Sequence, residues 1–281
     1  MTWDPATFLE KDRLNMVKVQ LHHIVQSCAA FGRHFLPESA EDENAVISWI
    51  PEYRMMVGKW VESENGLIRA GLDATNKSLT FQVKDGPSTQ LNLQGKTFAQ
   101  LMMWLEGQAG EHGLAVDKFS ADLPYEIPDF PSAKGQTFEL EDDEALEAFL
   151  SLYGNAHHAC SIMQTKFAST SDIRIWPHHF DIAISVKLKE SGSPDTSTYL
   201  GLGFSPGDSH YHEPYFYTNS WPFADDALLH PLENGQWHIE DWVGGALTLS
   251  ELAEINANFQ EEKVVAFYLS STTQLSSIIL Q

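Results

Sequence analysis

The sequence predicts an α+β protein, antiparallel sheet covered by long helices, and three observations carry that prediction. Two long stretches, 6–36 and 142–168, keep an apolar stripe at alternating steps of three and four. Each is followed by short β-branched and aromatic runs separated by turn dipeptides. Stripe positions 14, 17, 21, 24, 28 and 31 recur at 150, 153, 157, 160, 164 and 167, a constant offset of 136. The recurrence predicts two similar α-β-α halves, 1–135 and 136–281, related by a pseudo-twofold axis and packed as one unit.

In chain order, Asp4-Pro5 supplies a cap and a first-turn proline for the helix over 6–36. His22 and His23 fall off its stripe of Leu14, Val17, Leu21, Ile24, Cys28, Phe31 and Phe35, so both are expected exposed, or on a second contact, and not in the main core. An acidic loop over 37–44 precedes strands over 46–61 (broken near Pro51 or Gly58), 67–74, 78–83 and 90–93. Asn65-Gly66, Asn76-Lys77 and Asp85-Gly86 provide the turns of an antiparallel meander. A helix follows from Thr97 to a stop at Gly113, then an extended, linker-like segment carrying Pro124, Pro128 and Pro131. The second long helix carries Tyr153, His157 and Cys160 on its stripe. Strands are expected over 174–188, 198–204, 213–219 and 236–241. A helix opens at Thr248, which forms a capping-box pattern with Glu251, and the tail over 263–280 reads as helix.

Composition narrows the function classes. Hydrophobic residues make up 43% of 281, enough for a sizeable core. Acidic side chains number 39 against 17 basic, a net charge of −22, which argues against nucleic-acid or anionic-membrane partners. Between Lys189 and Lys263 there are 13 Asp and Glu and no Lys or Arg, which reads as a solvated acidic face or a cation-attracting surface. Cys28 and Cys160 lie in apolar helical patterns, as reduced buried thiols do. With no signal-peptide pattern and no apolar run near the roughly 18 residues of a membrane span, a cytoplasmic location is expected. Oligomeric state is not encoded in any of these features.

Chemistry-bearing residues concentrate over 174–222. If 174–188 is one strand, Trp176, His178 and Phe180 share a core face, and His179 and Asp181 share the other. An aspartate two residues from a histidine can orient the imidazole as a general base, so His179 and Asp181 form the candidate catalytic pair. Trp176, Tyr215, Tyr217 and Trp221 are the candidate ligand-binding aromatics. His210 and His212, on one face if the chain is extended, with Glu213 and one of His178 or His179, form the candidate divalent-metal set. Signatures of phosphate loops, dinucleotide-binding loops, hydrolase nucleophile elbows and HExxH zinc sites are missing.

Leu21-His22, Trp176 with Phe180-Asp181-Ile182-Ala183, the turn Gly203-Phe204-Ser205-Pro206-Gly207 and the aromatic run from Tyr215 to Pro222 together resemble a bacterial family of uncharacterised proteins, a domain of unknown function. The resemblance covers about residues 17–222 and is more specific in the second half. His178 and His179 depart from the family pattern, as does the YRMMVGKWV strand. The resemblance implies kinship of fold and brings no activity with it. The leading functional expectation is therefore small-molecule binding, with an enzymatic role open, at an aromatic/His/Asp pocket in the second half. The alternatives are a divalent-metal protein and a non-catalytic interaction protein with an acidic face.

Overall fold

Helix α1 (Lys11–Phe35) starts later than its stripe predicts. In the computed structural model, which describes residues 3–6, 9–39, 42–122, 124–190 and 197–281, Asp4 does not cap it. The Asn155 side chain instead accepts from Asp4 N at 2.9 Å and donates to Asp4 O at 2.6 Å. Gln260 clasps Ala6 in the same two-way fashion, at 2.8 and 3.0 Å. Backbone groups bonded this way are satisfied without joining a helix.

The chain forms two compact units. The N-unit comprises Asp12–Leu150 with Arg174–Phe180, and the C-unit Met1–Lys11, Ser151–Ile173 and Asp181–Gln281. In the N-unit, α1 is buried on every side from Leu21 to Gly32, so His22 and His23 are not exposed but lie on further buried contacts beside the main stripe. The expected strand over 46–61 is three pieces, β1 (Ser48–Ile50), β2 (Met55–Val57) and β3 (Val61–Ser63). The first break is a four-residue turn, Pro51 to Arg54, in which Arg54 has φ 52°. β4 (Gly66–Asp73), β5 (Ser78–Val83) and β6 (Thr89–Asn92) complete an antiparallel sheet of order β1-β2-β4-β5-β6, with β3 also on β4. Helix α2 (Phe98–Glu111) opens on the expected Thr97, with a complete capping box to Gln100.

Helix α3 (Asp143–Gln164) ends short of 168. The next expected strand divides into β7 (Arg174–Trp176) and β8 (Asp181–Lys189) around a turn at Pro177 to Phe180. Phe180 has φ 58°, and its N–H donates to Trp176 O at 2.7 Å. This turn cancels the strand alternation that put Trp176, His178 and Phe180 on one face. β7 belongs to the N-unit, where Ile175 and Ile47 exchange backbone hydrogen bonds at 2.8 and 3.0 Å.

The C-unit sheet runs β8-β9-β10-β12-β11 and is antiparallel, with β9 (Thr198–Ser205), β10 (Tyr215–Trp221), β11 (Gln236–His238) and β12 (Gly244–Thr248). Helix α4 (Leu249–Ala253) starts at the expected Thr248–Glu251 capping box, and α5 (Gln260–Ile279) accounts for the helical tail. The Tyr268 hydroxyl on α5 donates to Gly203 O at 2.8 Å, fixing the helix to the middle of β9.

The two sheets share a strand order, β2-β4-β5-β6 matching β8-β9-β10-β12. Each also contains a one-residue register slip: between Val57↔Gly71 and Val61↔Ile68 in one, and between Lys187 and Lys189 in the other. Gly71, opposite Val57, borders its slip, whereas Gly203, opposite Ala183, lies four pairs from the other. Cys28 and Cys160 are buried free thiols, and no helix among the described residues is long and apolar enough to cross a membrane.

Candidate functional site

The polar face of α1 in the N-unit is built around one carbonyl. Pro177 O accepts from His22 Nε2 at 2.8 Å and from Gln26 Nε2 at 2.7 Å. A carbonyl only accepts, so His22 carries its proton on Nε2. Gln26 Oε1 accepts from the Tyr125 hydroxyl at 2.9 Å, and the Arg33 guanidinium lies 5.1 Å over the Tyr125 ring. His22 stacks on Phe180 at 5.0 Å and 8°, with Phe130 edge-on at 5.0 Å. Burial drives the His22 pKa down to about 4, against the pull of its bond to Pro177, so the ring is neutral at physiological pH.

Above this floor, Tyr125, Trp176, Pro177, His178, Asp42 and Ala45 line a cavity of about 280 Å³. The His178 ring lies 5.5 Å from Tyr125, 6.1 Å from Trp176 and 4.2 Å from His179. Its pKa falls to about 4, through burial first and the neighbouring His179 second, with the Asp42 carboxylate opposing.

His23, the next residue of α1, serves a different place. Its Nδ1 is 2.5 Å from Ser132 Oγ and its ring stacks on Phe98 at 4.1 Å. Both polar residues line an open cleft of about 520 Å³.

The C-unit holds most of the residues singled out in the sequence. The Tyr217 hydroxyl donates to Asp181 Oδ2 at 2.5 Å, so this carboxylate and one of the four aromatics do meet. Burial first, then the Asp181 charge, holds the Tyr217 phenol well above its ordinary pKa. Tyr215 donates to Asp208 Oδ2 at 2.6 Å. Trp221 is exposed, with its ring 6.0 Å from Phe223. Of the expected catalytic pair, Asp181 is buried in the C-unit, whereas His179 is an exposed residue of the N-unit turn; Trp176 is likewise in the N-unit.

The run His210 to Glu213 is not extended as expected. Asp208 Oδ1 accepts from His210 N at 2.8 Å and Tyr211 N at 3.0 Å, closing a side-chain-capped turn. His210 Nε2 then lies 3.7 Å from Asp241 Oδ2, and His212 is exposed. Glu213 bonds Lys11 Nζ at 2.8 Å and Ser250 N at 2.7 Å. Burial alone would raise the Glu213 pKa, but these partners outweigh it and hold the carboxyl below its usual range. Among the described residues, no three His, Cys, Asp or Glu side chains are grouped to hold a metal ion.

A family profile, the Family of unknown function (DUF5996), matches residues 54–276, which span both sheets. The chain belongs to this family. The DUF5996 match takes in Tyr125, Ser132, the Pro177 turn, Asp181 and Tyr217, and runs into α5. No curated protein and no solved structure matches the chain significantly.

Single-stripe reasoning missed His22, His23, Gln26 and Tyr125. A signal was present. No charged residue occurs over 19–32, while the alternate faces of that helix are apolar, as in a helix buried all round. Polar side chains inside such a run need internal partners, which singles out His22 and Gln26, four apart on one face.

Proposed function

We propose that the protein binds a small molecule in the N-unit cavity at the Pro177 turn. The observation that carries this reading is the convergence of three rings and a carboxylate, Tyr125, Trp176, His178 and Asp42, on one cavity. Concave sites with mostly apolar walls and few polar groups are the usual form of ligand pockets. The two hydrogen bonds to Pro177 O and the Tyr125–Gln26 bond support a floor already ordered before a ligand arrives. The favoured ligand is a flat ring that stacks on Trp176 or Tyr125 and offers a hydrogen-bond donor to Asp42. The net charge of −22 supports a partner that is neither nucleic acid nor anionic lipid.

Ligand-observed NMR against a panel of planar nitrogen heterocycles tests the proposal. Wild-type protein is expected to select binders, and Trp176→Ala to weaken them about tenfold, the equivalent of one lost stacking contact. A panel with no binder, or binders indifferent to Trp176→Ala and Asp42→Asn, sinks it. We also infer that the two sheets arose from one duplicated unit. The shared strand order supports this. It predicts that the two sheets superpose strand on strand, β2-β4-β5-β6 on β8-β9-β10-β12; a best backbone superposition that pairs the strands in any other order argues against it.

A further inference from the structure

We propose that the open cleft beside His23 and Ser132 is a second binding site, for an uncharged chain-like amphiphile that places its hydroxyl on Ser132. The cleft measures about 520 Å³, and its walls include Phe98, Met102, Met103 and Phe119. Methionine and aromatic walls adapt to flexible apolar chains. The polar groups on the lining are almost all engaged. Thr97 Oγ1 accepts from Gln100 N in the capping box of α2, and Ser120 Oγ donates to Asp122 at 3.2 Å.

What is left is the Ser132–His23 pair, in which both side chains are more than nine-tenths buried. Their mutual bond uses one hydrogen and one lone pair. Whichever atom donates, Ser132 Oγ keeps lone-pair capacity to accept from a ligand hydroxyl. His23 is clamped between Phe98 at 4.1 Å and the edge of Phe138 at 5.9 Å, so the serine partner cannot turn away. Glu106 stands on the lining, in a chain of net charge −22, and both disfavour a carboxylate or phosphate head group. His23 itself is neutral, its pKa lowered to about 4 by burial. An apolar chain with one neutral donor is the chemistry that remains.

Titration calorimetry with 1-hexanol through 1-nonanol and the matched methyl ethers tests this on the full chain. Affinity for the alcohols is expected to tighten about fourfold per added carbon, the 0.8 kcal/mol of a buried methylene. Each alcohol should bind about fivefold more tightly than its ether, since the ether has no hydrogen to donate. Ser132→Ala should close that gap and leave the chain-length slope unchanged. Ala133→Trp, at an exposed lining position, should abolish binding of every probe without loss of thermal stability. No chain-length slope, or equal binding of alcohol and ether by wild type, overturns the proposal. So does binding that survives Ala133→Trp.

Discussion

Two turns in this molecule use one backbone device for different ends. Pro51 to Arg54 and Pro177 to Phe180 each begin with proline and end with a non-glycine residue in the left-handed region, at φ 52° and 58°. The first is a hairpin tip in water, with Tyr53 70% exposed and Arg54 ion-paired to Glu147. The second is buried at both ends: His22 and Gln26 both bond its first carbonyl, and Phe180 is fully enclosed. A left-handed bulky residue costs about 1–2 kcal/mol. At the tip that cost is borne by a half-buried arginine bonded to the carboxylate and the carbonyl of Glu147. At Pro177 the surroundings over-determine the strained conformation, a pattern that clusters at functional sites. The comparison teaches that strain by itself marks nothing; strain held by a converging polar network does.

The largest expected effect breaks the second turn. Phe180→Ala removes a ring packed on His22 at 5.0 Å and on Phe149 at 6.0 Å, while keeping the left-handed backbone. A loss of about 3–5 kcal/mol is expected from urea unfolding, as for buried phenylalanines elsewhere. A loss below about 1 kcal/mol shows that the ring does not hold the turn.

The central glycines extend the comparison to the sheets. A Cβ on Gly203 would stand 2.4 Å from the Ile182 carbonyl oxygen, and neither backbone can retreat within a paired ladder. A Cβ on Gly71 would meet only side-chain atoms that closely, Val57 Cγ1 at 2.9 Å and Thr80 Oγ1 at 3.0 Å, with the nearest backbone atom at 3.4 Å. Gly203→Ala is therefore expected to cost about 2–3 kcal/mol and Gly71→Ala about 1, on the scale of overpacked cores. Equal thermal-melt shifts would remove this distinction between the sheets.

Acid separates the turns in another way. The folded His22 has a pKa near 4 against an ordinary 6.5, so the unfolded chain binds a proton that the folded one refuses. His22 contributes stability that is fully present above pH 6.5 and lost as pH falls toward 4. Between pH 7.5 and pH 5 the loss is about 2 kcal/mol for this one group. His23 and His178, also lowered to about 4, act in the same direction. His22→Gln keeps a donor for Pro177 O and should flatten the pH dependence by that amount. An unchanged profile means that His22 is not protonated on unfolding in this window.

Legibility in the sequence followed locality. The helix start at Thr97, the capping box at Thr248 and the antiparallel meander were readable because a few adjacent residues determine them. The break at Pro177 was hidden by the β-rich run on either side, and only the proline announced it. β12 escaped because Gly244-Gly245 has poor strand propensity, which pairing with β10 overrides. At the candidate site, Trp176 stood out as an aromatic, and His178 read as a core-face residue or an optional metal ligand. Tyr125 did not stand out, because it lies in an irregular segment and reaches Gln26 across 99 residues of sequence. Similarly, His210 and His212 looked like an alternating pair until the Asp208 side chain, two residues upstream of His210, proved to curl the backbone.

The smallest expected effect falls on the exposed turn, and it completes the comparison. Arg54→Gly relieves the left-handed cost of about 1 kcal/mol. It also loses a partly solvated ion pair to Glu147 with its second bond to the Glu147 carbonyl, worth about 0–1 kcal/mol, and loosens the unfolded chain by a few tenths. These terms nearly cancel, so a change within about 0.5 kcal/mol is expected in urea unfolding. A near-zero value beside a loss of several kcal/mol for Phe180→Ala is what separates a turn that merely reverses the chain from one that builds a site. A large loss at Arg54 would mean that the hairpin tip is anchored as firmly as the Pro177 turn, and the reasoning that singles out the latter as functional would fail.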